Sequence, residues 1–375
     1  MLPYSTQLIE EDDITAVVEI LKGSHLTQGA KVKEFEEAIA RYVGARYCVT
    51  FNSATSALHA AYDASGIGEG DEIITTPISF VATSNMAVAL GATPVFCDIK
   101  MDGNIDEALI EALITPRTKA IVPVDFAGKP VAIQAIGALA KKHSLVLIED
   151  SSHAFGSDLN GQKIGSFADM TIFSFHAIKP ITTGEGGAVV TDNEEFARSL
   201  RLFRSHGIMK KQLWNSDMVQ MGHNYRLTEF AAALGLSQLH KLDRFINVRE
   251  TVAHYYNERF QGHKLFSTIS IDSTERSARH LYPLLLNPEL HCVKEDIFIE
   301  LQNRGIGVQV HYKPIYQNSF YKERFGEQRL PTTEQFYRSE LSIPCHQKMS
   351  MEDAKHVADI VLEVIEKYNY RGCSF

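Results

Sequence analysis

The sequence predicts an α/β protein: a mostly parallel, seven-stranded sheet with helices on both faces, followed by a smaller α+β domain. The first observation is a series of short apolar, β-branched runs at residues 47–51, 72–76, 94–97, 120–124, 145–149, 170–174 and 187–191. The second is that segments long enough for a crossover helix, such as 55–62 and 133–143, separate the first five runs. This alternation is typical of βαβ units, in which neighbouring strands are parallel.

The connection between the sixth and seventh strands is different. Residues 175–186 contain Pro180 and become glycine-rich toward their end, so they do not resemble a crossover helix. We therefore expect the seventh strand to be antiparallel.

The second half of the chain is helical at first and then mixed. Helices are predicted over 227–241, 248–259 and 351–368, and strands over 280–286 and 308–311. A chain of 375 residues exceeds the usual size of one domain. We place a large domain at residues 1–250, with the N-terminal segment, and a small C-terminal domain at 251–375, with a cleft between them.

Composition and charge exclude several classes of function. The formal net charge is -9, whereas nucleic-acid binding needs clustered Lys and Arg. The chain has no long apolar stretch, and its N-terminus lacks a basic region followed by an apolar segment. The 5 cysteines form no CxxC pair and the 15 histidines no tight ligand spacing, so neither a disulfide framework nor a metal site is indicated. We expect a cytoplasmic protein that binds no nucleic acid, no membrane and no metal.

In an open parallel sheet, ligands bind beyond the carboxyl ends of the strands, so chemistry is expected in the residues that follow each strand. After the first strand, small hydroxylated residues open a helix in the run Asn52-Ser53-Ala54-Thr55-Ser56. The free N–H groups and the dipole of such a helix N-terminus favour a phosphate. An ordinary helix cap is the alternative, because Ser and Thr are preferred there.

The fifth strand ends at Glu149-Asp150, and His153 lies three residues beyond Asp150. A buried carboxylate is costly unless it is paired, and a protonated pyridine nitrogen would pair it while keeping the ring an effective electron sink. The alternatives are a carboxylate that caps a neighbouring loop and a structural histidine.

Lys179 follows the sixth strand on an irregular connection beside the same edge of the sheet. A Schiff base requires an amine that reaches both cofactor and substrate carbons, and this position suits one. An isolated lysine would ordinarily lie on the surface. Here, however, the lysine lies at the same edge as Asp150 and as a helix N-terminus suited to a phosphate. We therefore expect Lys179 to lie in a site and not on the surface.

Taken together, these segments resemble the sugar aminotransferases of the fold-type I pyridoxal-phosphate superfamily, the DegT/DnrJ/EryC1/StrS type. The shared motifs cover nearly the whole chain: Leu26-Thr27-Gln28-Gly29, Ser53-Ala54-Thr55-Ser56-Ala57-Leu58, Glu149-Asp150, Ser174-Phe175, Lys179, Gly184-Glu185-Gly186-Gly187 and Gly222-His223-Asn224-Tyr225-Arg226-Leu227-Thr228-Glu229. The chain departs from the family at Ala54, where glycine is frequent, and at His223, where tyrosine is frequent. We expect neither change to alter the reaction.

The resemblance implies roles for the cofactor-site residues. Lys179 would bind pyridoxal 5'-phosphate (PLP) as a Schiff base and act as general base and acid, with pyridoxamine phosphate as the intermediate form of the cofactor. Asp150 would hold the pyridine nitrogen, and the third catalytic residue, His153, would contact the ring near its 3-hydroxyl. The other residues expected at the cofactor are Ala54, Thr55 and Ser174 at the phosphate, Phe80 on one face of the ring, and Asn224 from a second subunit.

The resemblance also implies a substrate site shared between the subunits of a homodimer. Its expected residues are Tyr4, Ser24, His25, Leu26, Thr27, His311, Tyr312, Lys313 and Pro314, with Arg226 from the partner subunit. A nucleotide diphosphate needs cationic groups and N–H donors, and Arg226 and Lys313 are candidates for the cationic groups.

The implied reaction moves the amino group of L-glutamate to C4 of a nucleotide-linked 4-keto-6-deoxy sugar. The run from Leu2-Pro3-Tyr4 to Ala60 resembles family members that act on UDP-2-acetamido-2,6-dideoxy-β-L-arabino-hexos-4-ulose, on the route to the pseudaminic acid that decorates bacterial flagellins. The residues themselves leave other UDP- or dTDP-linked 4-keto-6-deoxy sugars open.

Three other functions share parts of the pattern. Relatives that remove a sugar hydroxyl have histidine at the lysine position, whereas this chain keeps Lys179. A nicotinamide-dependent sugar oxidoreductase needs G-x-G-x-x-G after a strand, but the glycines of 66–70 precede one. A non-catalytic, cofactor-binding sensor is the third, and the chain shows no added DNA-binding segment to support it.

Overall fold

The computed structural model describes residues 1–369. Its helices are α1 (Glu11–Lys22), α2 (Ala30–Val43), α3 (Ala54–Ala64), α4 (Ala82–Ala89), α5 (Glu107–Ile110), α6 (Ile133–Lys142), α7 (Glu194–Arg204), α8 (Glu229–Leu239), α9 (Leu242–Phe260), α10 (Lys294–Asn303), α11 (Ser319–Phe325), α12 (Pro331–Ser339) and α13 (Met351–Tyr368). Its strands are β1 (Tyr47–Phe51), β2 (Glu72–Thr75), β3 (Thr93–Phe96), β4 (Thr118–Val122), β5 (Val146–Asp150), β6 (Asp158–Leu159), β7 (Gln162–Lys163), β8 (Met170–Ser174), β9 (Gly187–Thr191), β10 (Ile208–Lys210), β11 (Ser216–Met218), β12 (Phe266–Thr268), β13 (Glu275–Arg276), β14 (Tyr282–Leu286) and β15 (Glu340–Ile343).

The central sheet has seven strands in the order β1-β9-β8-β5-β4-β2-β3. The strands from β8 through β5, β4 and β2 to β3 are parallel to their neighbours, whereas β9 is antiparallel to both β8 and β1. Each of the seven predicted runs corresponds to one of these strands, and the predicted fold class is confirmed.

Helices cover both faces of the sheet. Successive side chains of a strand point to opposite faces, and both faces carry apolar side chains that the helices bury. In β9, Val189 packs in an apolar cluster with residues of α3, α4 and α7, whereas Val190 packs in a cluster with residues of α2 and α8. Both side chains are completely buried. Burial of a valine contributes about 1.5–3 kcal/mol, so the two layers hold the sheet and its carboxyl edge firmly in place.

A second apolar core forms where α9, α10 and α13 pack against the sheet β12-β14-β15. The long helix α9 enters both cores: Phe245 packs with the central sheet and Tyr256 with the C-terminal elements. Residue 250 lies inside this helix, and the domain boundary at that residue stays a prediction.

The prediction of a strand over 308–311 is wrong. That segment makes only an isolated bridge, between Gln309 and Ser342.

The N-terminal segment lies on the C-terminal elements. The Leu2 N–H donates to Gly305 O at 2.8 Å, and the Gly307 N–H donates to Leu2 O at 2.7 Å. Farther along, the Cys345 N–H donates to Tyr4 O at 3.2 Å. These backbone bonds bring Tyr4 to the edge of the central sheet.

Cysteine chemistry differs from the expectation at one position. Cys292 is disulfide-bonded, whereas Cys48, Cys97 and Cys345 are buried thiols.

Within residues 1–369, every helix falls short of the length and apolarity needed to cross a membrane. The same residues contain no group of three or more His, Cys, Asp or Glu side chains placed to hold a metal ion.

Candidate active site

A cavity of about 620 Å³ lies between the carboxyl edge of the central sheet and the C-terminal elements. The predicted site residues that line it are Tyr4, Ala54, Thr55, Phe80, Asp150, His153, Ser174, Lys179, His311 and Tyr312. The cavity therefore lies where ligands bind in parallel sheets, beyond the ends of the strands.

Strand register brings one wall of the cavity together. Gly187 at the start of β9 pairs with the last residues of both neighbouring strands, Phe51 of β1 and Ser174 of β8. A Cβ atom on Gly187 would lie 2.5 Å from the Ala54 backbone nitrogen. Glycine thus allows α3 to begin directly against the sheet, beside Ser174.

The first turn of α3 provides unused hydrogen-bond donors. Ser53 caps the helix in an extended conformation, and its Oγ accepts a 3.1 Å bond from the Ser56 N–H. The N–H groups of Ala54 and Thr55 precede the first helical hydrogen bond. Since both residues line the cavity, the positive end of the helix dipole lies at its wall and favours an anion.

Asp150, the last residue of β5, lines the cavity and is 3% exposed. Thr83 Oγ1 donates to its Oδ2 at 2.7 Å. Ser152 donates to Oδ1 twice, from its hydroxyl at 2.6 Å and from its N–H at 3.2 Å. Three donors therefore fix the direction of this carboxylate.

Lys179 lies on the irregular connection after β8. Its N–H donates to His176 O at 2.9 Å, and Ser5 Oγ donates to Ile178 O at 3.0 Å, so the N-terminal segment holds the turn in place. Burial lowers the pKa of Lys179 to about 7; the charge of Asp150 opposes this shift and that of Arg249 adds to it. The amine is thus largely uncharged, and nucleophilic, slightly above neutral pH.

His153 is 3% exposed and is held through both ring nitrogens. The Ala127 N–H donates to Nδ1 at 3.3 Å, and the Tyr312 hydroxyl oxygen lies 3.1 Å from Nε2. Burial lowers the pKa of His153 well below its ordinary value, so the ring is neutral. Since Nδ1 accepts, the proton lies on Nε2, which donates to Tyr312.

His311 is fixed by the neighbouring strand β15. Its N–H donates to Glu340 Oε2 at 2.6 Å, and its Nδ1 lies 2.9 Å from Ser342 Oγ. Burial lowers the pKa of His311 to about 3, so this ring is also neutral. It packs against Tyr4, with the two ring centroids 5.3 Å apart.

The profile of the DegT/DnrJ/EryC1/StrS aminotransferase family matches residues 7–362 of the chain. The chain belongs to that family. It is similar to the UDP-4-amino-4,6-dideoxy-N-acetyl-beta-L-altrosamine transaminase of Campylobacter jejuni strain 81-176, with 51% identity over 376 residues and 100% of each chain covered. The transaminase of the same name from Helicobacter pylori is 46% identical over 367 residues, which are 97% of this chain and 98% of that protein.

Solved structures of family members have the same fold. The Helicobacter pylori PseC, an aminotransferase involved in the biosynthesis of pseudoaminic acid, aligns with a TM-score of 0.96 at 46% identity, covering 98% of this chain and 99% of that chain. The PLP form of a putative sugar aminotransferase from Streptococcus pneumoniae aligns with a TM-score of 0.93 at 32% identity, covering 97% and 98%. The predicted family and its aminotransferase chemistry are confirmed.

The remaining predicted residues of this aminotransferase do not line the cavity of the single chain. Ser24, His25, Leu26 and Thr27 are exposed between α1 and α2, where Leu26 O accepts a bond from the Glu229 N–H. Asn224 and Lys313 are exposed, Arg226 is half-buried and Pro314 is buried. Asn224 and Arg226 are the two residues that we expect to act from a second subunit.

Sequence reasoning assigned no site role to several polar residues that line the cavity, among them Ser79, Thr83, Ser152 and His280. Ser79 and Thr83 follow β2 and Ser152 follows β5, so the rule for strand ends extends to all three. His280 is different. It precedes β14 in the C-terminal part of the chain, and we find no pattern around it that points to this cavity.

Proposed function

We propose that this protein is a PLP-dependent aminotransferase that moves the amino group of L-glutamate to C4 of a nucleotide-linked 4-keto-6-deoxy sugar. The favoured acceptor is UDP-2-acetamido-2,6-dideoxy-β-L-arabino-hexos-4-ulose, in pseudaminic acid biosynthesis. The observation that carries the proposal is that Lys179, Asp150 and the α3 N-terminus line one cavity. The names of the Campylobacter and Helicobacter relatives support the choice of sugar.

The residues present fit PLP. Ala54, Thr55 and Ser174 would hold its phosphate, and Asp150 would pair with its protonated ring nitrogen, since a buried carboxylate requires a cationic partner. Phe80 is 61% exposed at the cavity, an unusual position for a large apolar ring, and would stack on the bound cofactor. The Nε2 of His153, near Tyr312, would lie on the side of the 3-hydroxyl.

When bound there, PLP supplies the carrier for the amino group and a ring that accepts electrons from the carbon losing its proton. Lys179 moves that proton. As general base, its Nζ would take the proton from the α-carbon of L-glutamate and pass it to the cofactor. In the second half-reaction the same atom would take a proton back from the cofactor and deliver it, as an acid, to C4 of the sugar. Because 2-oxoglutarate leaves before the sugar reacts, the kinetics are ping-pong.

An absorption spectrum of the purified protein tests this proposal. A yellow protein that loses its colour with L-glutamate and regains it with the keto-sugar supports amino transfer. A protein that bleaches but does not recover with the UDP-linked sugar contradicts the choice of acceptor, and the dTDP-linked sugars are then the comparison. A colourless protein that carries nicotinamide contradicts the reaction itself.

We also propose a homodimer in which Asn224 and Arg226 act across the subunit boundary. Both lie away from the cavity of their own chain, and Asn224 is exposed. Mixing inactive Lys179→Ala and Asn224→Ala subunits tests this, because each mixed dimer regains one site with both native residues. About a quarter of native activity is expected from random pairing of symmetric dimers. No recovery, or an active monomer in sedimentation, contradicts the shared site.

A further inference from the structure

His280 lies beside the reactive lysine without belonging to the motifs that identify the family. Its Nε2 is 3.4 Å from Lys179 Nζ, and its ring centroid is 4.5 Å from that of His153. The residue is 2% exposed and lines the cavity. Its Nδ1 is buried and has no hydrogen-bond partner among residues 1–369.

The position of the His280 proton follows from these contacts. A neutral imidazole carries its proton on one nitrogen and a lone pair on the other. A buried N–H without an acceptor is rarer in proteins than a buried acceptor without a donor. Since Nδ1 lacks a partner, the proton is better placed on Nε2, where it points to Lys179. Burial also lowers the pKa of His280 well below its ordinary value, which keeps the ring neutral.

This arrangement discriminates between the two charge states of the lysine. An uncharged amine has a lone pair and accepts the Nε2–H bond. An ammonium group has only donors, so it would oppose the Nε2–H or force the proton to Nδ1, where no acceptor is present. At 3.4 Å this hydrogen bond is long and therefore weak. Its effect is to favour the uncharged form of the amine over the ammonium form.

We propose that His280 is a positioning residue that holds the Lys179 amine and selects its uncharged form. The inference rests on the proposed role of Lys179 as the lysine that binds PLP. The other titratable or charged groups around Lys179 come from several elements: Asp150 from β5, His153 after it, Arg249 from α9, His311 and Tyr312 before α11, and Tyr4 from the N-terminal segment. The charge of Asp150 favours the ammonium form of Lys179. A neutral donor at His280 opposes this effect and keeps the amine nucleophilic.

His280→Gln is the informative variant. The amide has a similar length but offers a carbonyl oxygen as well as an N–H, so it serves an ammonium group as readily as an amine. We expect the apparent pKa of Lys179 to rise by about one unit, which lowers the uncharged fraction at pH 7 about fivefold. His280→Asn, whose shorter amide leaves room for water, should shift the pKa in the same direction.

Competitive labelling with acetic anhydride measures this without catalysis. The full-length, cofactor-free protein is labelled from pH 5 to 11, and acetylation of Lys179 is followed by peptide mass spectrometry. Exposed Lys355 gives an internal reference in each sample. The control is His291→Gln, since His291 also packs near β14, bonded to Leu286 O and Ser339, but does not line the cavity.

The expected result is a Lys179 profile shifted to higher pH in His280→Gln, with an unchanged plateau at high pH and no shift in His291→Gln. An unshifted profile overturns the proposal. A plateau that falls at every pH also overturns it, because lost accessibility and not charge selection would then be the effect. Neither result depends on the sugar or on turnover, so failure here is distinguishable from failure of the proposed aminotransferase reaction.

Discussion

Thr83 Oγ1 donates a 2.7 Å hydrogen bond to Asp150 Oδ2 and thereby joins the start of α4 to the end of β5. Ser79 Oγ lies 2.9 Å from the same hydroxyl and donates to it, because the Thr83 proton is already committed to the carboxylate. The residue that would pair with the cofactor ring is therefore held from the far side by a short chain of hydroxyl groups.

Thr83→Val should lower kcat about 10- to 100-fold. The valine has the same shape but removes one donor to a charged group, which is worth about 1.5–3 kcal/mol. Steady-state kinetics with saturating sugar measures the loss, and Thr83→Ser should restore most of the rate. Equal activity of the valine and native proteins contradicts a role for this bond.

Asp150→Asn should reduce kcat by at least about 100-fold while the protein still binds PLP. A neutral amide no longer stabilises a protonated ring nitrogen, so the electron sink weakens even though the phosphate and Lys179 contacts remain. Rapid-quench assays and the absorbance of bound cofactor separate these two quantities. The control is Asp169→Asn, an exposed aspartate bonded to Leu147 N near the opposite end of the strands.

Lys179→Ala should abolish measurable amino transfer, a loss of about 10⁴-fold or more, because covalent attachment and proton movement both fail. Formation of amino-sugar, followed by chromatography, is the measurement. Lys355→Ala, which removes an exposed lysine from α13, should retain native activity. Native turnover by the Lys179→Ala protein would refute the mechanism.

The capture of PLP by the cofactor-free protein should depend on pH through Lys179. Its pKa is lowered to about 7 from 10.5, and only the uncharged amine attacks an aldehyde. The rate constant should thus fall about tenfold per unit as pH drops below 7 and level off above about pH 8. Stopped-flow absorbance measures it. A rate that keeps rising to pH 10 indicates an ordinary lysine.

Gly187→Ala should weaken PLP binding. The new Cβ would lie 2.5 Å from Ala54 N and 2.6 Å from Ala54 Cα, backbone atoms that cannot move without displacing the start of α3. Overpacking of this kind costs about 1–3 kcal/mol, equivalent to about 5- to 150-fold in the dissociation constant. Equilibrium dialysis gives that constant. Gly68→Ala, with no atom within 4 Å of the new Cβ, should bind PLP normally.

Much of the fold was predictable because each central strand is a short apolar run set between polar or glycine-containing segments. The antiparallel seventh strand was predictable from the irregular residues 175–186 alone. The small sheets were harder: β6, β7 and β13 are two residues long, too short to leave a pattern. At 308–311 the apolar run indicated a strand, but its backbone pairs with β15 at a single bridge.

The sequence by itself determined the parallel sheet and the family, and it predicted Lys179 and Asp150, which line the same cavity, as the central residues of the site. It could do so because all parallel strands end at one edge, so residues distant in the chain are placed together by topology alone. Only the tertiary structure decided what surrounds the lysine. His280, which precedes β14, reaches the lysine only because the C-terminal elements pack against the central sheet, and no local pattern in the sequence indicates a contact between segments so far apart in the chain. The charge state of Lys179 depends on these contacts, because burial and hydrogen bonding act through space.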